Sequence, residues 1–317
     1  MGRLLALLAA AAFVYAAHAA HAADGYPARP LRVVVGPGPD ALARVFGQKL
    51  TEAWGQQVVI EQRPGAGGTI AAETVTRAQP DGYTLLLATG SYTINASLQK
   101  QSYDLLRDFI PVSLAATVPF VLVVHPAVAA RSVNDLIALA RTQPGRLSYA
   151  SAGNGTPPHL AGEMLKTLTG IDLVHVPYKA AAAGLVDVIA GQVQVMFAVG
   201  PVGIPQVQAG KVRGLAVSTA QRSRIVPELP TVAESGVPGF EVVGWNGYVL
   251  PARSPRHAVE RLHREFVRIA ALPDVQDKLL GLGFEAVGSS PDAFGRFMRE
   301  DVARWAKVIR AARVSID

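Results

Sequence analysis

The sequence predicts an α/β protein of two lobes, each a mostly parallel β-sheet flanked by helices. Short β-rich apolar runs alternate with helical patterns along almost the whole chain, which is typical of sheets covered by helices. The chain has 317 residues and no cysteine. A chain of this length buries enough apolar surface to be stable without disulfides. It is also long enough to divide into two lobes, since single cores stop growing at roughly 250–300 residues.

Nine apolar runs are predicted to be β-strands, and the places where the chain crosses from one group of strands to the other define the expected lobes. Extended segments follow irregular ones near residues 119–125 and 238–245, where we place the crossings between the lobes. The expected first lobe comprises residues 23–121 with 243–317, and the second comprises residues 122–242. The predicted strands lie at residues 31–35, 58–60, 83–88, 120–124, 147–150, 173–176, 193–197, 214–218 and 242–250.

The helices between these strands are predicted from their starting residues. Asp40 is an N-cap candidate, and Ser132 with Asp135 has the spacing of a capping box. Ser254 and Ser290 are each followed by a proline, which is favoured in the first helical turn. The last helix is expected to pack against the core through one aromatic and aliphatic face, which carries Phe294, Phe297, Trp305 and Ile309.

Residues 1–22 are typical of a cleaved signal peptide. Arg3 precedes an apolar run and a stretch of small residues that ends at a predicted cleavage site after Ala22. The run is shorter than the roughly 20 residues of a membrane-spanning helix, which leaves a short membrane anchor as the weaker alternative. A lipoprotein anchor needs a cysteine, and this sequence has none. We therefore expect a periplasmic protein without a lipid anchor.

The charge distribution argues against nucleic-acid binding. The formal net charge is +6, and the basic side chains are scattered instead of interleaved with aromatic residues. A mild positive field of this kind attracts small anions.

Candidate ligand contacts lie in loops that follow strands. Ligands of parallel α/β sheets bind at the carboxyl ends of strands, where helix N-termini favour anions. These loops are rich in Gly, Ser, Thr and Asn and nearly lack carboxylates, which suits anion binding better than acid–base catalysis, so an enzyme is not expected. Ordinary turn and capping chemistry is the alternative explanation. The loops are residues 36–39, 89–93, 151–156, 178–180 and 198–200.

Three other kinds of site have little support. The histidines are dispersed, so no metal site is expected, and no G-x-S-x-G motif indicates a serine hydrolase. A G-x-G-x-x-A pattern at residues 36–41, with Glu61 after the next strand, has the spacing of a dinucleotide fingerprint. Pro37 and Pro39 remove backbone donors from that turn, and we expect no cofactor.

Eight short segments share the order and spacing of a known family. They are YPARP (26–30), EQRPGAGG (61–68), PDGYTL (80–85), YASAGNGT (149–156), HLAGE (159–163), HVPYK (175–179), AGKVR (209–213) and LPTVAE (229–234). Together they resemble the Bug family, the extracytoplasmic receptors of tripartite tricarboxylate transporters. The resemblance extends from Tyr26 to Ala312.

The resemblance implies a monomeric periplasmic binding protein of the type II-like, Venus flytrap kind, with a ligand cleft between its lobes. Such a receptor captures a small organic carboxylate and delivers it to a membrane permease. Lys179 either adds charge or is a solvated surface lysine, His159 either donates to the ligand or caps its own helix, and Tyr178 either lines the cleft or packs in the core. The candidate ligand-binding residues are Gly36, Ser91, Thr93, Ser151, Asn154, Thr156, His159, Tyr178 and Lys179.

Three departures from the family pattern affect the expected ligand. The loop at residues 36–40 is shorter, residues 180–183 are all alanine, and Ala198 stands where an aspartate is common. Without that acid a ligand ammonium has no evident partner, so we expect a carboxylate without an amino group. The shortened loop also permits an alternative: an exported protein of the same fold with weakened or lost ligand binding and an interaction or sensing role.

Overall fold

The computed structural model describes residues 25–36, 40–98 and 100–312. The predicted signal peptide and the turn at residues 37–39 lie outside this part of the chain. The strands are β1 (Leu31–Val35), β2 (Val58–Gln62), β3 (Thr84–Thr89), β4 (Phe109–Val124), β5 (Ser148–Ser151), β6 (Val174–Pro177), β7 (Val195–Val199), β8 (Arg213–Val217), β9 (Val243–Pro251) and β10 (Glu285–Ala286).

Helices follow most of these strands. A short 3-10 turn, Ala66–Gly68, precedes the second helix. The α-helices are α1 (Ala41–Trp54), α2 (Thr69–Thr76), α3 (Gly90–Leu98), α4 (Val133–Thr142), α5 (Pro157–Thr169), α6 (Ala181–Ile189), α7 (Gly200–Gln208), α8 (Arg256–Ala270), α9 (Pro273–Gly281) and α10 (Pro291–Ala312).

Strand β4 is 16 residues long and belongs to both halves of a continuous sheet with the order β2-β1-β3-β9-β4-β7-β5-β6. Its Pro119 is the register partner of Val243 in β9, whereas the next residue, Phe120, is opposite Val199 in β7. We call β2, β1, β3, β9, β10 and the first part of β4 the first half-sheet. The second half-sheet contains the rest of β4 with β5, β6, β7 and β8.

The α/β fold class is confirmed, but the strand directions are more mixed than the sequence indicates. Parallel pairing occurs in β2-β1-β3 and in β6-β5-β7. The other pairs in the described chain are antiparallel, and each involves β4 or β9. Parallel βαβ units therefore lie on the outside, and the long antiparallel strands join them.

The sequence did not predict residues 109–119 of β4. Pro111 interrupts this run, and a proline inside a run usually argues against a strand because it cannot donate to the ladder. The structure accommodates it at an irregularity, since the register with β9 shifts between Pro111 and Ser113. The two-residue strand β10 was also missed.

Two of the predicted helix starts are confirmed by their side-chain bonds. Ser132 Oγ accepts the Asp135 N–H at 3.1 Å, and Ser290 Oγ accepts the Ala293 N–H at 3.2 Å. The other two differ. Asp40 occupies the N-cap position but its carboxylate accepts from Gln62 at 2.9 Å and from a neighbouring arginine. Ser254 precedes the cap of α8 and its hydroxyl donates to a backbone carbonyl at 2.8 Å.

Helix α10 packs against both half-sheets. Phe294 and Met298 near its start belong to the apolar cluster that contains Trp245 of β9. Trp305 and Ile309, further along, belong to the cluster under β5 and β7. The predicted apolar face of this helix is therefore confirmed.

A buried carboxylate ties α10 to the first half-sheet and to α3. Asp301 is 2% exposed, and its Oδ2 accepts the Trp245 indole N–H at 2.9 Å and the Thr93 hydroxyl at 2.6 Å. Arg304 on the next helical turn pairs with its other oxygen. Three elements are thus joined through one charged group that water cannot reach freely.

Replacing Asp301 by alanine should lower the free energy of unfolding by about 3 kcal/mol, because the buried Trp245 and Thr93 donors then lose their acceptor. Urea unfolding followed by Trp fluorescence measures this change. The neighbouring Glu300 is exposed, and its replacement by alanine should change the value by less than about 0.5 kcal/mol. Equal effects of the two substitutions would contradict the role given to Asp301.

Candidate ligand-binding site

A cavity of about 860 Å³ lies where the two half-sheets meet. This volume is within the range of small-molecule binding sites. Both half-sheets contribute to its wall. The lining residues are Pro64, Gly65, Gly67, Thr89, Gly90, Ser91, Val118, Phe120, Ala152, Gly153, Asn154, Thr156, Pro157, Pro158, Tyr178, Lys179, Ala180, Ala181, Ala182, Val199, Val202, Gly244, Trp245, Asn246 and Phe284.

Four helices begin at this cavity. The first residues or N-caps of α3 (Gly90), α5 (Pro157), α6 (Ala181) and α7 (Val199) all line it. A β-carbon on Gly90 would lie 3.3 Å from Pro157, so the starts of α3 and α5 approach each other closely. Helix N-termini carry free N–H groups and a positive partial charge, and their convergence favours an anion.

The side-chain charges agree with this polarity. Among the lining residues in the described part of the chain, Lys179 is the one charged side chain, and none is an aspartate or glutamate. A bound carboxylate would meet no like charge at the wall.

Apolar side chains cover much of the remaining wall. Val118 and Phe120 of β4 line it together with Phe284 and Trp245, and Asp301 fixes the indole of Trp245. A ligand with an apolar body would bury that body against these residues.

Five of the predicted residues line the cavity: Ser91, Asn154, Thr156, Tyr178 and Lys179. Thr156 is the N-cap of α5 as predicted, although its hydroxyl donates to the Gly153 carbonyl at 2.7 Å. The Tyr178 hydroxyl donates to Asp187 at 2.6 Å. Burial and the Asp187 carboxylate raise the pKa of Tyr178 to about 12, so its hydroxyl stays protonated.

The other four predicted residues lie behind the wall. Thr93 is buried and bonded to Asp301, and Gly36 packs so closely on Tyr92 that a side chain at this position would collide with the tyrosine hydroxyl. Ser151 and His159 support the Gly153–Thr156 turn from below. Their role as direct ligand contacts stays a prediction.

Two stacked histidines hold this turn. Gly155 N–H donates to His159 Nδ1 at 3.2 Å, and Ser151 Oγ lies 2.6 Å from His175 Nε2. The two imidazole rings stack with their centroids 4.0 Å apart, and Tyr149 stacks on the outer face of His175 at 4.8 Å. His159 thus bonds the turn that precedes its own helix, and its two predicted roles, donating to the ligand and capping the helix, stay predictions. His175 was missed as a functional candidate, since only the fold brings it to Ser151.

Burial favours the neutral form of both histidines, and the bond from the Gly155 N–H requires it at His159. Burial, together with the neighbouring His159 and Lys166, lowers the pKa of His175 to about 3. Burial also lowers the pKa of His159. Because His159 Nδ1 accepts a backbone N–H, its remaining proton is assigned to Nε2.

Residues 42–314 match the family described as the tripartite tricarboxylate transporter family receptor. This chain belongs to that family. The resemblance to Bug proteins is confirmed as well: BugT of Bordetella pertussis is 32% identical over 294 residues, which cover 90% of this chain and 90% of BugT.

Solved structures of related receptors have the same fold. R. palustris Rpa4515 with adipate is 35% identical and has a TM-score of 0.86, with 92% of this chain and 99% of that chain covered. The periplasmic binding protein BugD is 32% identical with a TM-score of 0.83, over 92% of this chain and 99% of that chain. Within residues 25–36, 40–98 and 100–312 of this receptor-family member, no helix combines the length and apolar character needed to cross a membrane.

The neutral histidine pair should make stability pH-dependent. Below about pH 6.5 the unfolded chain takes up a proton at residue 175 that the folded chain binds only near pH 3, so stability should fall as the pH decreases through this window. Between about pH 7.5 and about pH 4.5, the urea midpoint of the His175→Asn variant should decrease less than that of the wild-type protein. His257→Asn, at an exposed histidine of α8, should keep the wild-type loss, and identical profiles for all three proteins would exclude this contribution.

Proposed function

We propose that this receptor-family member is a periplasmic solute receptor that captures a small organic carboxylate and delivers it to a membrane permease. The observation that carries the proposal is the cavity between the half-sheets, at which four helix N-termini converge on a wall without acidic side chains. Loop N–H groups, hydroxyls and amides hold the carboxylate there, with Lys179 as the added charge.

The neighbours support this ligand class. Adipate is the small molecule named with the R. palustris Rpa4515 structure, which shares the fold over 92% of this chain. Adipate carries carboxylates on an aliphatic chain, and the cavity of this chain offers both anion-favouring helix starts and an apolar surface.

The ligand that fits this cavity lacks an ammonium group. Ala180, Ala181 and Ala182 line the wall without offering side-chain acceptors, and Ala198 lies just before the lining residue Val199. An ammonium buried here would lose its water without gaining a carboxylate partner, and that desolvation is unfavourable.

Ligand capture works through closure of two lobes. The predicted lobes are residues 23–121 with 243–317 and residues 122–242. In the structure β4 passes from one half-sheet to the other between Pro119 and Phe120, two residues before the predicted boundary. Ser91 belongs to the first lobe, whereas Asn154 and Thr156 belong to the second. A carboxylate that bonds both sets at once favours the closed state, and the permease recognises that state.

Carboxylates without an amino group should stabilise the purified protein. Adipate, succinate, citrate and benzoate are suitable probes, and one of them at about 100 times its Kd should add about 2.7 kcal/mol to the free energy of unfolding. Titration calorimetry and thermal unfolding measure this, with glutamate as the amino-acid control. Tight glutamate binding would overturn the assignment of ligand class, and no stabilisation by any acid would favour the interaction or sensing role.

Lys179→Met should weaken carboxylate binding about fivefold at low salt, and the difference should shrink at high salt because the side chain is exposed. Calorimetric titration of the best-binding acid at two salt concentrations gives both values. Lys211→Met, at an exposed lysine outside the cavity, is the matched control and should bind as wild type does. Equal weakening by both substitutions would indicate a long-range charge effect in place of a contact.

A further inference from the structure

Asn246 is a buried polar residue whose side chain has no hydrogen-bond partner among the described residues. It lies in the middle of β9, is 8% exposed and lines the cavity. Other buried polar side chains nearby do make hydrogen bonds, such as Ser113 of β4 and Thr93 of α3. Because the amide lines the cavity, a molecule that enters the cavity can supply the hydrogen-bond partner that the described residues do not.

Thr89 repeats this feature on the neighbouring strand. Its hydroxyl is buried and has no hydrogen-bond partner among the described residues. Thr89 of β3 is the direct register partner of Asn246 across the antiparallel β3–β9 pair, so the two side chains lie on the same face of the sheet. Both line the cavity, and α3 begins at the next residue, Gly90.

This pair lies on the first half-sheet, whereas Lys179 and the Gly153–Thr156 turn lie on the second. Phe120 and Phe284 are among the apolar residues of the same cavity. The first half-sheet therefore presents uncharged hydrogen-bonding groups and the start of α3 to the cavity, and the second half-sheet presents a cation and the starts of α5, α6 and α7. Apolar side chains form part of the same wall.

We infer that Asn246 and Thr89 form a second polar subsite, which hydrogen bonds an oxygen-bearing group remote from the carboxylate held near Lys179. The inference rests on the proposed function and narrows the ligand to acids with a second oxygen group at the far end. An amide and a hydroxyl both donate and accept, so the subsite takes either a hydroxyl or a second carboxylate.

Matched acids test the subsite. Hexanoate and adipate differ by a terminal carboxylate, and benzoate and para-hydroxybenzoate differ by a terminal hydroxyl. Wild-type protein should bind the oxygen-bearing member of at least one pair about tenfold more tightly, as measured by titration calorimetry. Asn246→Leu, which keeps the approximate shape, should remove that preference and leave the affinity for the unsubstituted acid unchanged.

Asn246→Asp separates the two oxygen groups. A carboxylate at residue 246 accepts from a ligand hydroxyl but repels a second ligand carboxylate, so this variant should keep a preference for para-hydroxybenzoate and lose one for adipate. Asn134→Leu is the matched control for Asn246→Leu, because it replaces an exposed asparagine of α4 by leucine, and it should bind every acid as wild type does.

Stability of the ligand-free protein distinguishes a binding role from a structural one. A side chain that hydrogen bonds only to the ligand does not stabilise the ligand-free fold. The ligand-free Asn246→Leu variant should therefore unfold at the wild-type temperature or above it. Should this variant fail to fold, Thr89→Val removes the other half of the subsite with little change of shape and carries the same prediction.

Three outcomes would overturn the inference: no preference within either pair in wild type, equal weakening of both members of a pair in Asn246→Leu, or a lowered unfolding temperature of ligand-free Thr89→Val. Failure of all four acids to bind wild-type protein would instead count against the proposed function itself. The two failures are therefore distinguishable in one set of titrations.

Discussion

The ligand site depends on one constraint, which is that a single strand serves both half-sheets. Because β4 passes from the first to the second, the parallel units on either side must face each other across it. The carboxyl ends of β3, β5, β6 and β7 then point to the same junction. β3 and β7 run directly into a helix, and β5 and β6 each reach one after a short loop. The converging helix N-termini are a consequence of strand direction, and no cluster of basic side chains is needed to attract an anion.

The polar groups around the cavity are largely uncharged, and the interior behind them is arranged to keep them so. The stacked rings of His159 and His175 hold the Gly153–Thr156 turn as neutral imidazoles, since their burial disfavours protonation. On the other side, Asp301 fixes Trp245 and Thr93 from within the core without reaching the cavity. The formal charges thus lie behind the wall or at its rim, which suits a receptor that must later release its ligand.

The sequence predicts the periodic parts of this structure well and the junction poorly. β1 was predicted at its observed bounds, and the strands of the outer parallel units within two residues, because uninterrupted apolar runs determine them. The first part of β4 was missed because its proline, serine and threonine content resembles a loop, and only pairing with β9 makes it a strand. The share of parallel strand pairs was overestimated for the same reason, since the antiparallel pairs all involve β4 or β9.

The candidate site shows the same division. Loops after strands were identified from composition, and residues such as Asn154 and Lys179 do line the cavity. Trp245, Asn246 and Phe284 were missed because they lie far away in sequence, and a strand residue carries no local signal for which cavity its side chain faces. Conversely, Thr93 and Ser151 have the chemistry of ligand contacts, but their hydroxyls already bond Asp301 and the His175–Gly153 region.

Helix α10 links the two half-sheets through two separate apolar contacts. Its first turns pack beside Trp245, and its later turns bury Trp305 and Ile309 beneath the opposite half. A motion that separated the half-sheets widely would expose one of these two apolar contacts to water, which is unfavourable. The helix therefore favours relative positions of the half-sheets in which both of its apolar contacts stay buried.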